Sequence, residues 1–118
     1  MFKKVNVMEA HFEQATGRVV AELLSAAANG AEKVTCRVVS ILPETKGGSR
    51  KPHIHPDVEE VIFVLTGEGR VWIEGEEILI EKDDLIMIPT AVQHRIINSS
   101  EAALDLLCVF PAAEIPIP

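Results

Sequence analysis

The chain has 118 residues, 47% of them apolar and 25% charged, an ordinary composition for a folded protein and a length that suits one domain with a core of its own. Disordered and coiled-coil classes are thereby excluded. Eleven basic residues stand against eighteen acidic ones, a net charge of −7, so the chain has no general electrostatic pull on nucleic acid or on an anionic membrane. Lys3 and Lys4 are not followed by the apolar run of a secretory signal. No apolar stretch approaches the ~20 residues of a membrane span, and the expectation is a soluble, cytoplasmic protein. Cys36 and Cys108 are too few for a disulfide scaffold and sit inside apolar runs, where they read as buried thiols. The absence of tyrosine removes a phenolic acid or base from any mechanism.

Residues 1–33 are expected to supply N-terminal strands, with one ambiguity. Val20, Leu23, Leu24 and Ala27 have helical spacing and Asn29-Gly30 could cap a helix, yet 18–24 also reads as a strand. From residue 34 to 110 the chain is a succession of short strands divided by Gly, Pro and Asn/Asp turns: 34–42, 60–65, 70–74, 78–81, 85–88, 94–97 and 104–110. A strand about every 8–12 residues is the pattern of an all-β sandwich or barrel. Residues 111–118, with Pro116 and Pro118, form an extended tail. Residues 61–65, 85–88 and 106–110 are apolar on both strand faces, whereas a barrel strand with one wet face should alternate. With no helices to cover the second face, a second subunit is expected there, most simply in a homodimer.

Three of the four histidines fall into a pattern with an acid. His53 and His55 are two apart, so on a strand both rings share a face. Glu60 opens the next strand, and Glu59 has the opposite parity. His94 begins a later strand, directly after Pro89-Thr90-Ala91-Val92-Gln93. Three imidazoles and a carboxylate make a donor set for a first-row divalent metal. His11 stands apart and reads as a surface residue.

These spacings resemble the two motifs of the cupin family. The first motif runs from a glycine over five residues to His-x-His, then to a glutamate and, six residues on, a glycine. Here it is complete as Gly47, His53-Ile54-His55, Glu60 and Gly67. The second has Pro89, His94 and Asn98 in place, but Asp83 and Ala91 stand where the motif has glycines. Those glycines are turn positions, so the departure bears on loop shape more than on ligands. The resemblance implies a jelly-roll β-barrel in a single domain, commonly dimeric, with 18–24 as a further strand. It also implies one divalent transition metal (Fe, Mn, Ni, Co or Zn) held by His53, His55, Glu60 and His94. Glu59 is the rival to Glu60, and the six-residue gap to Gly67 favours Glu60.

Four protein ligands on an octahedral ion leave two positions open, as catalytic sites do. Arg50 and Lys51, just before the first ligand, are candidates to draw a small anionic ligand, set against the plainer reading of a solvated basic turn. Arg37 points either into the barrel to grip a carboxylate or out to a subunit interface. Gln93 is a candidate support for His94. Two functions follow: a metal-dependent enzyme on a small organic anion (a dioxygenase, decarboxylase, isomerase or lyase), or a non-catalytic cupin that binds a small ligand or has a structural role.

Overall fold

The structure is a computed structural model that describes residues 2–117. Strands β1 (Glu13–Ala15) and β2 (Arg18–Leu24) form a hairpin closed by Thr16-Gly17. The ambiguous stretch separates into both of its readings. Residues 18–24 are the strand, and a single helical turn, α1 (Ala26–Asn29), follows immediately. Ser25 Oγ accepts from the Ala28 amide at its start, and Gly30 ends it in the left-handed conformation, so the capping signal was real but belonged to four residues only. The chain then runs through β3 (Thr35–Ile41), a long loop, β4 (Glu60–Thr66), β5 (Glu68–Ile73), β6 (Glu76–Glu81), β7 (Leu85–Ile88), β8 (His94–Ile97) and β9 (Leu104–Phe110).

Two antiparallel sheets result, one ordered β1-β2-β3-β9-β4-β7 and one ordered β6-β5-β8. They face each other as an all-β jelly-roll barrel, a single domain. No described helix is long and apolar enough to cross a membrane.

Alternation decides what fills the barrel. Ile62 and Val64 of β4, Leu104, Leu106, Cys108 and Phe110 of β9, and Val39 and Ile41 of β3 are buried in one cluster with Val71, Ile80 and Ile88. The opposite parity faces out. Val61 pairs with Met87 across β4 and β7, and Val61, Leu85 and Met87 are exposed, as are Ile78 and Leu79 on β6. The second apolar face expected from the sequence is therefore present and open in the single chain.

Two devices fix the loop between β3 and β4. Buried Asn98 donates through Nδ2 to the carbonyls of Ile41 and Ala102, tying the end of β8 to the end of β3. Gly17, at φ 73°, lies so near Gly48 that a Cβ there would come within 2.7 Å of the Gly48 carbonyl oxygen. Only glycine allows two backbones this close, and the contact seats the β1–β2 turn against the loop that leads to His53.

Candidate metal centre

The loop returns to the barrel through a single bridge. The His53 amide donates to the His94 carbonyl (2.9 Å) and the His94 amide to the His53 carbonyl (3.0 Å). His53 and His55 thus do not sit on a regular strand, as their spacing had suggested. The bridge alone gives them strand-like alternation, with Ile54 exposed between them. β4 supplies Glu60, and β8 supplies His94, which lines up with Ile73 of β5. One donor atom from each of His53, His55, Glu60 and His94 lies within 4.8 Å of all the others, a group able to hold a metal ion. Glu60 is 6% exposed, whereas Glu59 is exposed and takes no part.

Hydrogen bonds sort out the protons. His94 Nδ1 lies 2.9 Å from the Val92 carbonyl. A carbonyl only accepts, so Nδ1 carries the proton and Nε2 turns toward the cluster. Nε2 is 3.2 Å from Glu60 Oε1, and His55 Nε2 is 3.5 Å from the same oxygen. Burial alone would raise the Glu60 carboxyl, but hydrogen bonds to His55 and His94 outweigh it and hold the group at about 2. The His53 ring is driven down to about 3, first by burial and then by the charges of Arg50, His94 and His55. Its Nδ1 is buried with no hydrogen-bond partner among the described residues. An ionised Glu60 carboxylate beside a His53 ring kept neutral is the protonation pattern that metal ligation requires, and an orphaned ring nitrogen fits the same donor set.

A cavity of about 50 Å³ adjoins the four residues, lined also by Arg18, Arg37, Arg50 and Cys108 among apolar side chains. The Cys108 thiol is pushed well above its ordinary range, first by burial and then by the Glu60 charge, so it stays a neutral thiol. Cys36 is only half-buried. Of the candidates for a ligand-contacting role, Arg37 is 5% exposed and faces the cavity. It pairs with Glu22 at 2.6 Å and donates through Nη2 to the Ile115 carbonyl in the tail (2.7 Å). Arg50 also lines the cavity. Lys51 does not: it is exposed on an outer groove with Ser49 and Arg95. Gln93 lies outside too, because the alternation that turns His94 inward turns its neighbour out, and the Val92 carbonyl supports His94 instead. Arg18, buried at 4% exposure, is the cavity residue that sequence reasoning missed. Its signal was an arginine at the start of an apolar strand, directly after a Thr-Gly turn.

Comparison with known proteins agrees with this architecture. The family model described as a cupin domain matches residues 38–110. An uncharacterised protein of Methanocaldococcus jannaschii is 34% identical over 56 residues, 48% of this chain and 45% of the relative. The chain spans about half the length, or less, of the curated relatives it matches. Among solved structures, a predicted oxalate decarboxylase from Thermotoga maritima superposes with a TM-score of 0.80 at 23% identity, over 93% of this chain and 99% of that one. A polyketide cyclase from Streptomyces resistomycificus gives 0.81 at 23% identity, over 99% and 83%. At this identity the likeness is one of fold.

Proposed function

This chain belongs to the cupin family, and on that premise we propose that His53, His55, Glu60 and His94 bind one divalent transition metal (Fe, Mn, Ni, Co or Zn) and that the cavity beside them processes a small organic anion. The observation that carries the reading is the convergence of the four donors. With Nδ1 turned to the Val92 carbonyl, His94 presents Nε2 to the cluster 3.2 Å from Glu60 Oε1, so the two donor atoms are close enough to share one ion. A bound ion would supply Lewis acidity to a chelating ligand. The chain's own part is to supply three imidazoles and one ionised carboxylate, to exclude water with the apolar wall, and to attract an anion through Arg50. The reaction classes that suit such a site are those of a dioxygenase, decarboxylase, isomerase or lyase, and the Thermotoga maritima neighbour, a predicted oxalate decarboxylase, lends support to the second.

A second reading, binding without turnover, has its own support. Outside the four-residue cluster, no described lining residue is a base: there are arginines, apolar groups and a neutral thiol. Elemental analysis of protein loaded with each metal in turn, followed by turnover assays on small carboxylic acids, separates the readings. One ion per chain with turnover supports the enzyme, one ion without turnover supports the binding protein, and failure to retain any of the five metals overturns both.

We also propose that the open apolar face around Val61, Leu85 and Met87 pairs with a second copy of the chain. Three adjacent large apolar side chains on one sheet face are the kind of patch that soluble proteins cover. Light scattering at micromolar concentration should give twice the 12.9 kDa chain mass; the mass of one chain would refute the pairing.

A further inference from the structure

The cavity beside the cluster has two approaches of opposite character. On one side, Arg50 and His53 line both the cavity and the outer groove of Lys51 and Arg95, a cationic approach. On the other side, Val20 and Ile117 line both the cavity and an outer chamber of about 490 Å³. Val5, Leu23 and Ala27 wall that chamber, and its titratable groups are His11, Glu13 and Glu22. An apolar wall beside carboxylates disfavours an anion and admits an uncharged molecule.

Of the two residues between chamber and cavity, one is fixed by the sheet. Val20 is a buried residue of β2 and pairs with Val39 of β3. Ile117 belongs to the extended tail outside both sheets and is 41% exposed. The base of the tail is tied down: Thr35 Oγ1 donates to the Ala112 carbonyl at 2.6 Å, and the Ala26 amide to the Ala113 carbonyl at 2.9 Å. Further along, Arg37 holds it. Nη2 donates to the Ile115 carbonyl at 2.7 Å and Nη1 to the Pro116 carbonyl at 3.4 Å. Nε of the same guanidinium donates to Glu22 at 2.8 Å, and the group lies over the Phe110 ring, 5.3 Å from its centre. Arg37 is therefore fixed to the barrel by Glu22 and Phe110, and through its fork it grips the tail.

We propose that residues 111–117 form a gate on the apolar side of the cavity, hinged at Ala112-Ala113, latched by Arg37 and closed by Ile117, which admits small uncharged molecules. A strand in a ladder is released only by breaking many bonds together, whereas a segment held through one side chain can open locally. The anion's approach past Arg50 is separate from this gate. The gate stands on the geometry of tail and chamber, whether or not the cluster holds a metal.

Cys108 lines the cavity and serves as a reporter of entry. In full-length protein carrying Cys36→Ser, it is the remaining thiol. Its labelling by uncharged methyl methanethiosulfonate and by anionic sulfonatoethyl methanethiosulfonate is followed by intact-mass spectrometry. Ile117→Ala leaves every charge in place and should speed the uncharged reagent by at least about 10-fold, with the anionic rate unchanged. Arg37→Lys keeps the charge but loses the fork, and should speed the uncharged reagent by about 10- to 100-fold, the loss of a charged hydrogen bond. If Arg37→Lys does not fold by circular dichroism, Ile117→Ala, at a half-exposed position, carries the test. Urea unfolding of each variant separates opening of the gate from global unfolding. An unchanged uncharged-reagent rate in the variants, equal acceleration of both reagents, or acceleration that follows a fall in the urea midpoint would overturn the proposal.

Discussion

The two loops that deliver the histidines reach one cluster by different backbone means. The first, between β3 and β4, turns on glycines: Gly47 at φ 87°, and Gly48, where an added Cβ would sit 1.8 Å from the Leu42 carbonyl oxygen. The second, between β7 and β8, has no glycine. Ala91 takes up the left-handed conformation itself, at φ 61°, and Asp83 does the same in the preceding turn at φ 76°. These are the two positions where the second motif lacks its glycines. Ala91 nevertheless donates its amide to the His55 carbonyl at 2.9 Å, which locks the second loop onto the first. The loop shape thus survives the loss of the residue that favours it, and the difference appears as backbone strain rather than as a displaced ligand.

The largest effect should come from removing what the two loops hold in common. His94→Ala should lower metal affinity by more than about 100-fold, beyond the 10- to 100-fold typical of supporting groups, as read by elemental analysis after dialysis against a weak chelator. Equal metal content in variant and wild type would show that the second loop contributes no ligand. Next, Gly48→Ala should destabilise the protein by on the order of 3 kcal/mol, because the clash is with backbone and no side-chain rotation relieves it. A shift of the urea midpoint at constant slope measures this. A near-neutral result would mean that the first loop depends on its glycines no more than the second does.

Acid should act through the first loop as well. His53 is held at about 3 against an ordinary 6.5, so between these values the unfolded chain binds more protons than the folded one. Its contribution to stability is complete above pH 6.5 and is lost as the pH falls toward 3. Glu60, held at about 2 against 4.5, adds a loss that begins below 4.5 and continues toward 2. For metal-free protein, the slope from His53 should stay below the one-proton limit of about 1.4 kcal/mol per pH unit, since its ring is partly exposed and screened. His53→Gln should flatten the curve between pH 6.5 and 4.5; an unchanged curve would place the acid sensitivity elsewhere.

Much of this was legible in the chain. The strands from β3 to β9 stood within two residues of where the turns put them, because Gly, Pro and Asn/Asp mark turns whatever the tertiary context. The four-residue cluster was legible through spacing. What sequence could not give was anything decided by packing between distant segments. Arg37 had two allowed directions until the tail and Glu22 fixed one. Arg18 looked like any arginine at a strand start until the Gly17–Gly48 contact seated its turn beside the loop bearing Arg50. Gln93 seemed a neighbour to His94 by number, but alternation separates adjacent residues and left the Val92 carbonyl on the ring.

The smallest predicted effect tests the comparison most directly. A left-handed conformation is unfavourable for a non-glycine residue by roughly 1–2 kcal/mol, while glycine loses roughly 0.5–1 kcal/mol more than alanine in chain entropy on folding. Ala91 is exposed, so replacing its methyl group removes little packing. Ala91→Gly should therefore stabilise the protein by about 0.5–1 kcal/mol, the difference between those two terms, with metal content unchanged because the amide that bonds to the His55 carbonyl is kept. Asp83→Gly should gain less, since aspartate tolerates this region better than alanine does. Urea unfolding of the two variants against wild type reads the order. A loss of stability on Ala91→Gly would show that the second loop is not strained by its missing glycine, and that the two loops differ in sequence but not in energy.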